Sequence, residues 1–166
     1  IPNLIIAAPR KATELRHLLY TAQQPLEHPI VIRYPRGRCN EKHWQQPFQT
    51  LPIGKGEQLK EGSEIAVLTI GAIAEEVAEQ IQKSNTAEKY AHYDMRFLKP
   101  LDEEMLHHIF QNYKKVITVE EGVTGGLGSA VAEFAAQHGY TIPLKIITLP
   151  DAFMGVMSRF ANLSIC

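Results

Sequence analysis

A cluster of arginines at the end of an apolar run is the first feature of the sequence that could do chemistry. The segment IVIRYPRGRC, residues 30–39, passes from three β-branched residues to three arginines, two of which, Arg33 and Arg36, flank a Tyr-Pro pair. Arginine presents a planar fork of N–H donors that fits two oxygens of a phosphate or a carboxylate. The proline fixes one backbone angle, and Gly37 permits a sharp turn. The residues alone leave two interpretations open, an anion-binding socket and an ordinary solvated strand end.

A second candidate combines two carboxylates with a glycine-rich turn. In VEEGVTGGLGSAVAEF, residues 119–134, a predicted strand ends at Glu120 and Glu121, and a helix is predicted to begin near Ser129. The glycines of the turn are Gly125, Gly126 and Gly128. A helix N-terminus favours an anion, but this spacing lacks the lysine of a P-loop and the register of the dinucleotide fingerprint. The turn is therefore either an anion-binding loop or a close-packing turn, and the two carboxylates are acid–base candidates without a partner in the sequence.

A third stretch, DMRFLKPLDEEML at residues 94–106, alternates charged and apolar positions. Asp94, Arg96 and Lys99 lie around Phe97. This pattern favours a charged rim or an interface over a catalytic site.

The elements that must position these residues alternate between strand and helix. Strands are predicted at residues 4–9, 29–35, 64–71, 90–97, 115–121 and 143–150, and helices at 13–23, 72–84, 101–113 and 128–139. Thr13 is predicted to cap the first helix, and Gly139 to end the last one in a left-handed turn. Such alternation is typical of an α/β fold, a three-layer open and mostly parallel sheet with helices on both faces.

The chain divides into three parts by pattern. Residues 1–36 form a βαβ unit that is too short to stand alone. Residues 37–56 lack periodicity and are predicted to be a linker. Residues 57–166 contain the alternating α/β region, and the segment 52–62 is predicted to add a short edge hairpin.

Composition and charge argue against several partners. The chain has 166 residues and a net charge of −1, which gives no electrostatic reason to expect nucleic acid or an anionic membrane. No apolar stretch approaches the roughly 20 residues of a membrane span. The two cysteines, Cys39 and Cys166, lie far apart, which favours a reducing, cytoplasmic location. None of the seven histidines has metal-ligand spacing with a cysteine or carboxylate, so no metal site is predicted. The chain begins IPNLII without methionine, and we expect a fragment of a longer protein.

Taken together, the motifs resemble a known family. IPNLIIAAP, RYPRG, LPIGKGE, DMRFLKPLDEEML, VEEGVTGGLGSAV and LPD occur in this order. They closely resemble the C-terminal part of the 1-deoxy-D-xylulose-5-phosphate synthase family, over nearly all of residues 1–151. Transketolase and the pyruvate dehydrogenase beta subunit share a weaker form of the pattern.

The resemblance implies a fold and an activity. The family condenses pyruvate with glyceraldehyde 3-phosphate, releases CO2, uses thiamine diphosphate and Mg²⁺, and is expected to form a homodimer. Residues 1–36 would end the pyrimidine-binding domain, and residues 57–166 would form the transketolase C-terminal domain. Arg36 matches the family arginine that holds the phosphate of the aldehyde, whereas Arg33 is left open between a phosphate contact and a structural role.

The chain also departs from the family pattern. It lacks the GDG and downstream Asn motif for metal and diphosphate, and the glutamate that activates the aminopyrimidine. We therefore expect no catalytic residue here, no cofactor binding by this chain alone, and no activity of the isolated chain. The tail 152–166 differs from the family. Two alternatives stay open, the C-terminal part of another thiamine-dependent enzyme and a non-catalytic dimerisation or binding module.

Overall fold

The computed structural model describes residues 1–36, 41–42 and 44–150. Its strands are β1 (Ile5–Ala7), β2 (Ile30–Ile32), β3 (Glu57–Lys60), β4 (Ile65–Ile70), β5 (Tyr90–Asp94), β6 (Phe97–Lys99), β7 (Lys115–Glu120) and β8 (Leu144–Ile147). Its helices are α1 (Ala12–Thr21), α2 (Ile73–Lys83), α3 (Glu103–Asn112) and α4 (Leu127–Gln137), with a 3₁₀ turn at Ala87–Lys89. The predictions for Gly37, Arg38, the two cysteines and the tail 152–166 lie outside the described residues.

Within the described ranges, the larger sheet has five strands in the order β3-β5-β4-β7-β8. The pairs of β4 with β5, β4 with β7 and β7 with β8 are parallel, and β3 is the only described strand of this sheet that runs antiparallel. Apolar side chains of α3 and α4 pack on one face of this sheet, and those of α2 pack on the other. Burial on both faces explains why β4 and β7 are almost continuous apolar runs. The predicted three-layer, mostly parallel α/β architecture is confirmed.

The smaller sheet joins the start of the chain to the larger unit. Its order is β2-β1-β6, with β1 parallel to β2 and antiparallel to β6. The predicted βαβ unit is therefore present. Leu18 of α1 and Phe97 of β6 are fully buried in one apolar cluster with residues of β1. This shared cluster means that the first 36 residues pack against a strand supplied by the later part of the chain.

The prediction of one continuous strand over residues 90–97 is wrong. Strand β5 ends at Asp94, and Arg96 has a positive φ of 53°. A positive φ turns an L-residue out of extended geometry, so the chain leaves the larger sheet there and enters the smaller one as β6.

Two further local predictions need correction. The segment 52–62 forms no hairpin, because β3 is a single edge strand whose partner is β5 rather than β4. Helix α1 begins at Ala12, and Thr13 lies inside it instead of capping it. The N–H and hydroxyl of Thr13 both donate to the Glu41 carboxylate, at 2.8 and 2.7 Å, so a residue distant in sequence serves the helix end. Gly139 has a φ of 71°, which confirms the predicted left-handed stop of α4.

Candidate functional site

Three cavities lie side by side where β2, β4 and β7 end. The largest, about 500 Å³, is lined by Arg36 and by residues at the starts of α1 and α2, and we call it the Arg36 cavity. The middle cavity, about 350 Å³, is lined by Arg33, Gly71 and Glu121. The loop cavity, about 330 Å³, lies between Arg33 and the glycine-rich loop. The carboxyl ends of parallel strands are where ligands usually bind in α/β sheets.

The three cations of the Arg36 cavity differ in their partners. Arg10 Nη2, Nη1 and Nε lie 3.2–3.5 Å from three carboxylates, those of Glu57, Glu75 and Asp94. The ammonium of Lys11 lies 3.8 Å from the Glu41 carboxylate. Arg36 is exposed, and it makes no hydrogen bond or ion pair with any of the described residues. Of these three cations, Arg36 is therefore the one that can bind an anion without breaking an interaction with a described residue.

Arg33 is placed differently from Arg36. Its Nη1 donates to the backbone carbonyl of Glu121 at 2.8 Å, and its side chain separates the middle cavity from the loop cavity. The two arginines of the sequence motif thus line adjacent cavities, but one of them already has a main-chain partner.

The glycine-rich loop surrounds a carboxylate of the same chain. Glu120 is buried, and its Oε1 accepts the N–H of Gly128 at 3.0 Å, in the first turn of α4. A Cβ on Gly126 would lie 2.0 Å from Glu120 Oε2. The helix begins at Leu127 rather than near Ser129 as predicted. The Glu120 carboxylate consequently occupies the position at the N-terminal end of α4 where a bound anion would be expected.

Adding a methyl group at Gly126 should therefore destabilise the chain. We expect Gly126→Ala to lower the free energy of unfolding by about 1–3 kcal/mol, because Glu120 must leave its bond to Gly128. Gly122→Ala is a matched control, since its Cβ would meet Glu120 at 3.4 Å. Thermal unfolding measures the difference, and titration with thiamine diphosphate should give the same result for both variants. A titration signal lost only in Gly126→Ala would contradict a packing role.

The DMRF stretch belongs to a charged cluster between the two sheets. The cluster consists of Arg10, Glu14, Glu57, Glu75, Asp94 and Arg96. Arg96 Nε lies 2.7 Å from Glu14, and the same guanidinium contacts Glu57. Asp94 is completely buried. The stretch therefore lies at an interface between the two sheets, which is one of its two predicted roles. The other predicted role, a charged rim, does not apply to Asp94, because its side chain is completely buried.

Burial dominates the electrostatics of this cluster. Burial, followed by the charge of Glu14, raises the pKa of Asp94 to about 7, although the Arg96 N–H and the guanidinium groups of Arg10 and Arg96 act in the opposite direction. Arg10 Nε and Asp94 Oδ2 face each other at 3.5 Å without forming a hydrogen bond among the described residues. Nearby, burial and the charges of Arg10 and Lys60 lower the pKa of His92 to about 4, so its imidazole is neutral at pH 7.

The described residues contain no group of three or more His, Cys, Asp or Glu side chains arranged to hold a metal ion. Across the same residues, no helix has the length and apolar character needed to cross a membrane.

Comparison with known families identifies the fold of the larger unit. The family model for the transketolase C-terminal domain matches residues 54–161, which is more than half of the chain. The chain belongs to the transketolase C-terminal domain family.

Two relatives with similar sequences carry the same name. The 1-deoxy-D-xylulose-5-phosphate synthase of Parabacteroides distasonis is 53% identical over 93% of this chain and 25% of the relative. The synthase of Phocaeicola vulgatus is 52% identical over the same shares. The chain thus spans about a quarter of the length of these relatives. The resemblance to the C-terminal part of the synthase family is confirmed.

A solved structure supports the same fold assignment. A chain of the split-gene transketolase inactive β4 tetramer has a TM-score of 0.79 and is 29% identical, covering 95% of this chain and 52% of that one. The match includes the smaller sheet as well as the larger one, since nearly all of the chain is aligned.

Two parts of the site could not be found from sequence patterns. Arg10 and Glu14 were not among the candidates, because an arginine and a glutamate near the start of a helix are ordinary surface residues by type. Their role depends on Asp94 and Arg96, which lie more than 80 residues later in the chain. One weak indication of this cluster was present in the sequence: the charged residues of the DMRF stretch need oppositely charged partners elsewhere in the chain.

Proposed function

We propose that this chain is the C-terminal region of a 1-deoxy-D-xylulose-5-phosphate synthase, which condenses pyruvate with glyceraldehyde 3-phosphate and releases CO2. The identity of about half of the residues with relatives of that name, over 93% of the chain, carries the proposal. The position of Arg36 supports it, because a guanidinium without a described partner lines a cavity at the strand ends.

Within this proposal the chain binds and positions substrate rather than performing the chemistry. Residues 1–36 complete the pyrimidine-binding domain, residues 37–56 link the domains, and residues 57–166 form the C-terminal domain. Thiamine diphosphate, held with Mg²⁺ by the rest of the synthase, supplies carbanion stabilisation when bound. The enzyme is proposed to be a cytoplasmic homodimer whose partners include neither nucleic acid nor membrane.

The phosphate of the aldehyde is proposed to bind at Arg36. Arg10 is a poor candidate, because its guanidinium is already shared among three carboxylates. A phosphate at Arg36 would receive two parallel N–H donors, which fixes both its distance and its orientation. The glycine loop is proposed to serve packing, because the Glu120 carboxylate already fills the end of α4.

A chimeric synthase tests the proposal. The matched part of this chain, 93% of its length, would replace the corresponding region of the Parabacteroides distasonis synthase. We expect the chimera to form 1-deoxy-D-xylulose 5-phosphate from pyruvate and glyceraldehyde 3-phosphate, because the transplanted region is 53% identical to the part that it replaces.

Two controls accompany the chimera. The isolated chain should form no product, and a chimera carrying the matching part of the split-gene transketolase should be inactive with pyruvate. Circular dichroism and thermal unfolding establish that each chimera is folded. A folded, cofactor-loaded chimera that made no product would contradict the proposed function.

A further inference from the structure

The side chain of Arg33 connects two regions that are 88 residues apart in sequence. Its Nη1 donates to the Glu121 carbonyl at 2.8 Å, just after β7. Its backbone N–H donates to the Ala7 carbonyl of β1, also at 2.8 Å. Its Nη2 lies 3.6 Å from the place where a Cβ on Gly71 would stand, at the end of β4. Arg33 is thus fixed to the smaller sheet by its backbone and to the larger unit by its side chain.

The segment that follows Arg33 has few other attachments. Tyr34, Pro35 and Arg36 are exposed. Among the described residues, none of these three takes part in a backbone–backbone hydrogen bond. Pro35 restricts one backbone angle of the segment but does not attach it to anything. The position of the Arg36 guanidinium therefore depends on where Arg33 is anchored, three residues before it.

The anchor itself is well fixed. Glu121 follows Glu120, whose buried carboxylate is bonded to the first turn of α4. The N–H of Leu149, after β8, donates to the Gly122 carbonyl at 2.8 Å. The Glu121 carbonyl is consequently held from both sides, and a donor attached to it is held as well.

We propose that Arg33 is a positioning residue which, through the Glu121 carbonyl, sets the place of the Arg36 guanidinium for the phosphate of the aldehyde substrate. This inference rests on the proposed function of Arg36. It gives the loop after β7 a role in substrate recognition without contact between that loop and the substrate. It also predicts that a phosphate meets one arginine of the motif and not both.

Kinetics of the complete synthase test the inference. Arg33→Met retains an unbranched apolar stem and removes every donor, whereas Arg33→Lys retains one charged nitrogen that can donate. We expect Arg33→Met to raise the KM for glyceraldehyde 3-phosphate by about 3–10-fold, the loss typical of one misplaced contact, and to leave the KM for pyruvate unchanged. Arg33→Lys should recover most of this loss, because a single donor satisfies a carbonyl.

A double variant separates positioning from direct contact. In an Arg36→Ala background, Arg33→Met should add no further rise in KM, since Arg33 acts through Arg36. Additive effects would overturn the inference in favour of a direct phosphate contact. An equal rise in the KM for pyruvate, or no change for either substrate, would also overturn it.

A measurement without substrate tests the anchoring by Arg33 separately from the proposed function. Absence of product from the unaltered synthase would refute the proposed function alone. Hydrogen exchange of the backbone amide at position 33, which donates to the Ala7 carbonyl, should be faster in Arg33→Met than in the parent protein and intermediate in Arg33→Lys, because this strand end loses its side-chain attachment. Unchanged exchange in Arg33→Met would show that the Arg33 side chain does not anchor this strand end, whatever reaction the enzyme performs.

Discussion

Replacing Arg10 with alanine is expected to lower the free energy of unfolding by about 2–4 kcal/mol at pH 8. The side chain is only 13% exposed, and it faces the completely buried carboxylate of Asp94 at 3.5 Å. Its other two ion pairs, with Glu57 and Glu75, involve carboxylates that are 42% and 59% exposed and contribute little. About 1 kcal/mol of this loss comes from Asp94, whose buried charge would lose the cation that faces it, and the rest comes from the lost packing of the Arg10 side chain.

The loss should depend on pH in a defined direction. The pKa of Asp94 is raised to about 7, so the folded state binds a proton more readily than the unfolded state, and the carboxyl group destabilises the fold increasingly as pH rises from about 4 to 7. Arg10 lowers this pKa, so its removal raises the pKa further and lets the destabilisation continue above pH 7. At pH 6 Asp94 is protonated with or without Arg10. The deficit of Arg10→Ala should therefore be about 1 kcal/mol smaller at pH 6 than at pH 8.

Denaturant unfolding of the chain at the two pH values measures this effect. In an Asp94→Asn background, Arg10→Ala should cost less, and its deficit should no longer change between pH 6 and pH 8. Lys83→Ala is the control, because its ion pair with Glu79 is 3.5 Å long and more than 70% exposed on both sides, and it should change stability by less than about 0.5 kcal/mol. A deficit that was equal at both pH values would show that Asp94 is not the group that Arg10 stabilises.

The larger sheet could be predicted from the sequence because its signals are local. Strand β4 was predicted at residues 64–71 and spans Ile65–Ile70, and α2 was predicted at 72–84 and spans Ile73–Lys83. The apolar side chains of α2 repeat with the helical period and lie in one buried cluster, and those of β4 alternate between the clusters on the two faces of the sheet.

The smaller sheet could not be predicted in the same way. In YAHYDMRF the apolar alternation continues through Met95 and Phe97, and both side chains are completely buried. They are buried in different clusters, however, because the chain turns at Arg96 between them. Residue type gives no warning of a positive φ at an arginine, so periodicity alone joined two strands that belong to different sheets.

In the candidate site, too, the features set by nearby residues could be predicted and the contacts with distant residues could not. The motif containing Arg33 and Arg36 was found from residue types and spacing, and the structure places both beside cavities at the strand ends. The partner of Arg33 is a backbone carbonyl, which every residue possesses, so no pattern could indicate it. The carboxylate inside the glycine loop was noticed as an acid–base candidate, but its bond to Gly128 depends on how the loop folds back on β7.

If the chain belongs to the synthase proposed above, replacing Arg36 with alanine in the complete enzyme should reduce kcat/KM for glyceraldehyde 3-phosphate by on the order of tenfold to a hundredfold. A charge-assisted hydrogen bond contributes about 1.5–3 kcal/mol, and a guanidinium can form two such bonds with one phosphate. Arg36 lines the largest of the three cavities described above and makes no ion pair among the described residues, so an incoming phosphate displaces no described partner.

The pattern of losses distinguishes substrate binding at Arg36 from a structural role. Pyruvate carries no phosphate, so its KM should barely change in Arg36→Ala. Arg36→Lys should recover only part of the loss, because a point charge cannot reproduce the planar fork of donors, in contrast to the nearly full recovery expected for Arg33→Lys. Steady-state kinetics with each substrate varied in turn, together with the unfolding temperature, provide the measurement, and Lys83→Ala is the control for lost surface charge. If Arg36→Ala raised the KM for pyruvate as much as the KM for the aldehyde, Arg36 would support the fold of the cavity, and the arginine motif would be an ordinary strand end after all.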